Sequence, residues 1–170
     1  MDFMLEENIY QLNEKLNIIL NVDDQDKKRF RQIIDWAGTQ FDLSVKEKYF
    51  KQTHVRRGEV WTVNLGENVG SELSKVRPCI VVQNNIGNSK SPTTIVVPIS
   101  SKQSRQPTHV ELNDLDFEYV ENSIQGTVIA EQIRIVSKAR IGRRIAVLKP
   151  EVMDKVENAI KSSLGFIGEA

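Results

Sequence analysis

The chain has 170 residues, of which 39% are hydrophobic and 27% are charged, and its formal net charge is zero. This length fits one globular core with a small addition, and the composition is ordinary for a soluble globular protein. No apolar stretch approaches the roughly 18 residues that a membrane span needs, and the N-terminus MDFMLEENIY is acidic, so we expect no signal peptide, no membrane anchor and a cytoplasmic location.

Cysteine and histidine are too sparse to build a metal site. Cys79 is the only cysteine, which excludes a disulfide within the chain, and His54 and His109 are the only histidines. These residues do not have the spacing of zinc ligands. We therefore expect no structural metal ion and no other cofactor.

Two amphipathic helices are predicted at the start of the chain. In residues 3–20, apolar side chains recur at intervals of three and four residues, which places them on one helical face: Ile9, Leu12, Leu16, Ile19 and Leu20. Residues 23–38 repeat this spacing, with acidic residues in the first turn and Gly38 as the predicted end. The pattern favours a helical hairpin followed by a linker near residues 45–56.

This N-terminal extension is acidic, with 7 basic and 10 acidic residues in positions 1–50. An apolar helical face needs cover, so we expect the extension to pack on the body of the protein or to extend a dimer contact.

Short β-strands separated by turns are predicted after residue 57. Residues 60–65 (VWTVNL) alternate apolar and polar side chains, the pattern of a half-buried strand. Five similar runs follow, at residues 79–84, 93–100, 108–112, 126–136 and 143–148. Six short strands predict a small barrel or sandwich. A C-terminal helix is predicted to begin at Pro150 and to end at Gly165.

Basic side chains are concentrated in residues 134–149, a run without acidic residues: Arg134, Lys138, Arg140, Arg143, Arg144 and Lys149. Such a run predicts a surface that binds phosphates. Solvated outward positions of strands would produce the same composition, so this alternative stays open.

Four segments of the chain occur in a distinctive order. They are RRGEVWTVNL, GSELSKVRPCIVVQNNIGNSKSPTTIVVPIS, PTHVEL and IAEQIR, and a terminal helix ending in SLGF follows them. Together they resemble the MazF/PemK family of toxin endoribonucleases over about residues 56–167. The resemblance implies an SH3-like barrel, usually a homodimer, that cuts single-stranded RNA without a metal ion through a 2′,3′-cyclic phosphate. It also implies that an antitoxin protein inhibits the enzyme.

Arg77 is the strongest catalytic candidate. RNA supplies its own 2′-OH as nucleophile, so the protein need only hold the phosphate and transfer protons. Pro78 has no N–H and therefore belongs at the first position of a strand or on an edge, which places Arg77 at a strand end. Its guanidinium can then stabilise charge on the phosphate, the role that the resemblance implies. The alternative is a surface salt bridge to Glu72 or Glu131.

Ser100 and Glu131 complete the predicted catalytic set. Ser100 follows VPI, where the family usually has threonine, and its hydroxyl can donate to a phosphate oxygen or position the 2′-OH. Ser101 is a nearby substitute, and a turn-forming role would also explain this loop. Glu131 in IAEQIR matches an acidic catalytic position of some family members. Glu72 is the rival proton acceptor, and pairing with a basic neighbour would explain either carboxylate.

Further contacts to RNA are predicted from residue type. Amides can read base edges, and basic side chains attract phosphates. The predicted substrate-binding residues are Glu72, Lys75, Gln83, Asn84, Ser101, Gln132 and Arg134. Turn formation would explain Gln83 and Asn84 equally well. His109, Cys79 and Trp61 are interpreted as packing residues.

We therefore expect a mostly β protein, an antiparallel SH3-like barrel of the MazF/PemK/CcdB kind in residues 56–170, with a C-terminal helix and a helical extension in residues 1–50. Its predicted function is that of the toxin of a type II toxin–antitoxin pair. Two alternatives remain. A gyrase-binding toxin of the CcdB kind relies on a terminal Trp-Gly-Ile, whereas this chain ends in FIGEA. A noncatalytic RNA-binding or regulatory module is the other.

Overall fold

Two helices form the first part of the computed structural model, which describes residues 3–21, 23–47 and 53–167. Helix α1 spans Phe3–Leu20 and α2 spans Asp24–Glu47. Both predicted helices are confirmed, but α2 does not end at Gly38. A single glycine inside a helix costs only about 1 kcal/mol, so it need not end the helix.

The chain divides into two compact units, Met1–Ser44 and Val45–Ala170. In the first unit, apolar side chains on both helices are exposed: Ile9, Leu12, Ile18, Ile33, Ile34 and Phe41. No described residue of α2 is buried. The predicted hairpin and the predicted cover of these helices remain predictions. None of the described helices is long and apolar enough to cross a membrane.

The second unit is built on an antiparallel sheet that has eight strands in the described residues. They are β1 (Glu59–Asn64), β2 (Val76–Val81), β3 (Thr93–Ser100), β4 (His109–Leu112), β5 (Phe117–Val120), β6 (Gly126–Ile129), β7 (Arg134–Ser137) and β8 (Ile141–Leu148). Their order is β4-β6-β3-β2-β1-β8-β5, and β7 pairs with β3. Helix α3 spans Asn85–Lys90 and α4 spans Pro150–Ser163. The mostly β, antiparallel architecture with a C-terminal helix is confirmed.

The strand count differs from the prediction at two places. The predicted run 126–136 is two strands, because a 3-10 turn at Ala130–Gln132 interrupts it. Strand β5 lies in a segment that we interpreted as a turn, since acidic residues flank its few apolar side chains. Pairing with β8 overrides this weak local preference, because strand formation depends on the partner surface.

Two clusters of buried side chains cover the two faces of the sheet. One contains Val60, Ile80 and Val97 from the strands and Val152 and Val156 from α4. The other consists of Val55, Val63, Leu65, Cys79, Val81, Val96 and Val136, with Trp61 packed against it. Cys79 and Trp61 are therefore packing residues, as predicted. The second cluster underlies the sheet face on which the predicted site residues lie.

Candidate active site

Arg77 lies in the part of β2 that is paired on one side only. β2 pairs with β1 from Val76 to Ile80, but its pairing with β3 begins at Cys79. Pro78 therefore lies where β2 has an open edge toward β3, and its missing N–H costs no ladder hydrogen bond on that side. Because Pro78 is the third residue of the strand, the edge position is the correct one of the two that we predicted.

The Arg77 side chain is held by the chain just before it. It is partly buried, and its Nε donates a hydrogen bond to the carbonyl oxygen of Ser74 at 3.1 Å. This bond uses one of the five N–H groups of the guanidinium and fixes the orientation of its plane. Of the two predicted salt-bridge partners, Glu131 pairs with His109 instead.

Arg77, Ser100 and Arg134 share one face of the sheet. Side chains alternate along a strand, so each of these residues lies on the same side as residues two positions away. Those neighbours include members of the second core cluster: Cys79 and Val81 in β2, Val96 in β3 and Val136 in β7. Continuing the β2–β3 register for two residues beyond the pair Cys79–Pro98 aligns Arg77 with Ser100. The fold thus places on one face three residues that are far apart in the sequence, with Arg134 opposite Val96, four positions along β3 from Ser100.

Three arginines act electrostatically on the buried thiol of Cys79. Burial raises the pKa of Cys79 to about 12, and the positive charges of Arg134, Arg77 and Arg140 act in the opposite direction. Burial, and then the charge of Arg134, lower the pKa of Arg140. We call Arg77, Arg134 and Arg140 the arginine cluster. Because like charges raise the energy of one another, a polyanion is the natural ligand of such a cluster.

Arg140 was missed as a site residue, because we placed it only in the basic run. A 3-10 turn at Lys138–Arg140 separates β7 from β8. After this turn the Arg140 Nε donates to the carbonyl oxygen of Asn64, at the end of β1, at 2.7 Å. Sequence spacing carries no signal for this contact, which depends on strand order.

The rest of the basic run does not form one phosphate-binding surface. Arg143 pairs with Glu121 at 3.0 Å, and Arg144 pairs with Glu59 at 2.9 Å. Lys138 is buried, and its Nζ donates to the carbonyl oxygen of Asn88. Of this run, only Arg134 and Arg140 belong to the arginine cluster.

Ser100 ends β3 and is nearly buried, with 8% of its surface exposed. Its Oγ accepts a hydrogen bond from the backbone N–H of Lys102 at 3.2 Å, which leaves the hydroxyl hydrogen for another acceptor. Its partner in β6 is Thr127, whose buried Oγ1 has no hydrogen-bond partner among the described residues. Ser101, the predicted substitute, is exposed in the following turn. Thr127 is a second hydroxyl at this site that the sequence analysis did not identify.

Glu131 forms a pair with His109. His109 Nε2 lies 2.8 Å from Glu131 Oε1, and the His109 side chain is only 6% exposed. Burial raises the pKa of Glu131, but hydrogen bonds from His109, from its own backbone and from Thr108 outweigh this effect and hold the pKa below its usual value. Glu131 is therefore ionised at neutral pH. His109 is buried as predicted, but we had missed its bond to Glu131.

The tautomer of His109 follows from this contact. An ionised Glu131 carboxylate accepts, so Nε2 carries the proton and donates. The buried Nδ1 has no hydrogen-bond partner among the described residues. Glu131 itself lies in the 3-10 turn at Ala130–Gln132 and not in a strand, where we expected it.

Gln132 holds the loop between β1 and β2. Its Oε1 accepts from the backbone N–H of Leu73 at 2.7 Å, and its Nε2 donates to the carbonyl oxygen of Ser71 at 3.1 Å. Both ends of the amide are thus used inside the protein, which favours a positioning role over base reading. The predicted Glu72 lies between the two contacts and is exposed.

Lys75 follows in the same loop with a left-handed backbone conformation, at a φ of 68°. Such a φ is unfavourable for lysine. Two backbone hydrogen bonds compensate, from Lys75 N–H to the carbonyl oxygen of Gly66 at 2.6 Å and from Leu65 N–H to the carbonyl oxygen of Lys75 at 2.8 Å. The side chain is exposed two residues before Arg77.

Gln83 and Asn84 lie at the opposite end of β2 from Arg77. At about 3.3 Å per residue, this separation is on the order of 20 Å. Asn84 caps α3, and its Oδ1 accepts from the backbone N–H of Gly87 at 2.8 Å. Gln83 Nε2 donates to the carbonyl oxygen of Thr93 at 3.4 Å. Their contacts match the turn-forming alternative, although the register through Val96 aligns Arg134 with Val81, two residues before Gln83.

Metal ligation is not visible in this region. Within residues 3–21, 23–47 and 53–167, no three His, Cys, Asp or Glu side chains are grouped so that they could hold a metal ion. The positive charge at the site comes from arginine side chains.

Comparison with known proteins agrees with this geometry. A family model described as "PemK-like, MazF-like toxin of type II toxin-antitoxin system" matches residues 56–164. The chain is 41% identical over 115 residues to Endoribonuclease EndoA of Bacillus subtilis (strain 168), an alignment that covers 66% of this chain and 97% of that protein.

Solved structures match the same part of the chain. MazF from Deinococcus radiodurans superposes with a TM-score of 0.58 at 21% identity, over 66% of this chain and 98% of that one. An endoribonuclease in complex with its cognate antitoxin, from a mycobacterial species, superposes with a TM-score of 0.56 at 24% identity, over 67% and 98% of the two chains. These likenesses confirm a fold of the MazF kind.

Proposed function

This chain belongs to the PemK-like, MazF-like toxins of type II toxin–antitoxin systems, and we propose that it is an endoribonuclease that cleaves single-stranded cytoplasmic mRNA without a metal ion. A homodimer is the proposed active form, and a cognate antitoxin the proposed inhibitor. The family description favours these partners over a gyrase-binding toxin of the CcdB kind. The observations that carry the proposal are the family match over residues 56–164 and the β2–β3 register that aligns Arg77 with Ser100 on one face of the sheet.

The proposed reaction is transphosphorylation. The 2′-oxygen of RNA attacks the adjacent phosphorus, a new P–O2′ bond forms, and the P–O5′ bond breaks. A base accepts the 2′-OH proton, and the departing 5′-oxygen gains a proton from an acid or from water. The phosphate gains negative charge on the way to the transition state, and preformed donors aimed at it lower the barrier.

Arg77 is the proposed main donor to that charge. Its Nε bond to Ser74 and its place at the edge of β2 fix the guanidinium before substrate binds. Arg134 and Arg140 add positive charge from β7 and from the turn before β8. Since arginine can form two parallel hydrogen bonds to one phosphate, the cluster can both bind and orient the scissile group.

Ser100 is the proposed hydroxyl donor. The β2–β3 register aligns it with Arg77, and its hydroxyl hydrogen is not used in its bond with Lys102. A hydrogen bond from this hydroxyl to a phosphate oxygen or to the 2′-oxygen would help to position the attack.

Glu131 is the proposed proton acceptor, and His109 is its positioning residue. The carboxylate is ionised at neutral pH and partly exposed, so it can take a proton from substrate. The bond from His109 Nε2 fixes its orientation. Glu72, which is exposed in the loop that Gln132 holds, remains the alternative acceptor.

Replacing Arg77 tests this function directly. We expect Arg77→Ala to lower the rate of RNA cleavage in EDTA by at least about 10²-fold, as loss of one preorganised donor commonly does. The fold should persist, because one partly exposed charge contributes little to stability. Cleavage is measured by mapping the ends of a long single-stranded RNA, and thermal unfolding checks the fold.

Arg105→Ala is the matched control, because the Arg105 side chain is 90% exposed and forms a surface ion pair with Glu111. It should cleave at the parent rate. Parent-like cleavage by folded Arg77→Ala would contradict the assignment of the site. A parent protein that binds RNA but never cuts it would instead support the noncatalytic alternative.

A further inference from the structure

One face of α2 has a feature that the matched family segment does not include, since that segment starts at residue 56. At 100° per residue, Phe30, Ile33, Ala37 and Phe41 lie within one narrow stripe around Ala37. Ile33 is 45% exposed and Phe41 is 68% exposed. Large apolar side chains that repeat along one face are typical of a surface that another helix covers.

The charges of α2 indicate which helix covers it. Residues 24–34 contain four basic and two acidic side chains, whereas residues 35–47 contain one basic and three acidic side chains. An antiparallel copy of α2 would place the basic half of each helix against the acidic half of the other. A parallel copy would place like charges together, and its aligned helix dipoles would also oppose pairing.

The spacing of side chains fits a two-fold axis at Ala37. In such a pair, residues equally far before and after Ala37 meet, so Phe30 faces Ser44 of the partner subunit and Ile33 faces the partner subunit's Phe41. Phe30 thus meets a smaller side chain, and Ile33 meets another large apolar one. At the axis itself, Ala37 meets its own copy with the smallest side chain of the stripe, beside Gly38, which lets the helices approach closely.

We propose that α2 pairs with α2 of a second copy of this chain, as an antiparallel two-fold pair centred on Ala37. An isologous contact of this kind is self-complementary, because the same patch supplies both sides. It provides a self-association surface outside the toxin fold, and it does not depend on the proposed RNA cleavage.

Crosslinking of single cysteines in the full chain tests the pair. The native thiol is a silent background, since Cys79 is buried and burial raises its pKa to about 12. Under mild oxidation, Ala37→Cys should link two copies in most of the protein. Thr39→Cys lies on the opposite side of the helix and is the matched control, expected to give at least about tenfold less linked product.

Direction is tested with two further cysteines. Phe30→Cys and Ser44→Cys should each link weakly alone, but strongly when both variants are expressed together, because an antiparallel pair brings position 30 of one copy to position 44 of the other. Strong self-linking of Phe30→Cys would show a parallel pair and overturn the proposal.

A charge beside the stripe provides an independent check, because Ile34 lies about 60° around the helix from Ala37. Adding Ile34→Asp to the Ala37→Cys chain should reduce linking at least about tenfold, whereas adding Asp35→Asn, on the other side of the helix, should not. Absence of linking by Ala37→Cys in a folded protein whose introduced thiol reacts with a soluble maleimide would also overturn the proposal. Linking of Ala37→Cys to an unrelated protein would mean that a different partner covers the face.

Discussion

The two ends of β2 carry different kinds of polar residue and use them differently. Just after the C-terminal end of β2, Asn84 caps α3. The Asn88 amide donates to the carbonyl oxygen of Gln83 and accepts from the hydroxyl of Thr94. Near the start of β2 lies Arg77, whose charge acts on the Cys79 thiol together with those of Arg134 and Arg140. The first arrangement satisfies polar groups within the protein, and the second concentrates charge of one sign. Polar composition alone therefore does not identify a binding site, whereas unbalanced charge on a rigid face does.

The largest effect expected from a test of this comparison concerns proton transfer. We expect Glu131→Gln to slow RNA cleavage by roughly 10² to 10⁴-fold, the usual contribution of a general base, with little change in RNA binding. Single-turnover cleavage measures the rate. Glu72→Gln is the matched variant: if it is the slower of the two, Glu72 is the acceptor and the Glu131–His109 pair is structural.

Arg134→Ala tests whether the start of β2 is a charge-based site. We expect the rate of cleavage to fall by about 10²-fold. We also expect the plot of log affinity for single-stranded RNA against log salt concentration to become shallower by about 0.7, the contribution of one phosphate contact. Affinity is measured at several salt concentrations with uncleavable RNA. Arg143→Ala is the control, because Arg143 is already paired with Glu121. An equal loss of slope in both variants would contradict the assignment of Arg134, but not Arg143, to the phosphate-binding site.

The smallest effect is expected at the other end of the strand. Asn84→Ala removes the cap of α3 and should cost about 1 kcal/mol of unfolding free energy, while cleavage changes by less than about twofold. Chemical denaturation and the cleavage assay measure the two quantities. Lys90→Ala, exposed in the same helix, should change neither. A large loss of cleavage in Asn84→Ala at unchanged stability would show that this end of β2 belongs to the substrate-binding site.

Sequence reasoning succeeded where local chemistry determines the outcome. Pro78 restricted the position of Arg77 to a strand start or an edge. Alternation along VWTVNL identified the residues of β1 that contribute to the second cluster, although Val60 on the other face is buried as well. Helix α4 begins at Pro150, and Gly165 follows it with a φ of +73°, as the start and stop signals predicted. Each of these features depends on a few adjacent residues.

The misses have one physical cause. Arg140 and the Glu131–His109 pair are placed by short 3-10 turns that redirect the chain between paired strands. The direction of such a turn depends on which strands pair, and pairing is decided by contacts far apart in the sequence. Likewise, α2 continues past Gly38 because one unfavourable residue does not outweigh the favourable ones around it.

The open edge at Pro78 also bears on aggregation. Next to it, Val76 is 60% exposed, and β2 has no pairing with β3 before Cys79. An unpaired strand edge with an exposed apolar side chain can recruit a strand from another molecule. Pro78 has no N–H to donate to an incoming strand, and the charge of Arg77 beside it repels the Arg77 of a second copy. The local structure that places Arg77 at this edge therefore also makes the edge a poor template for strand pairing between copies.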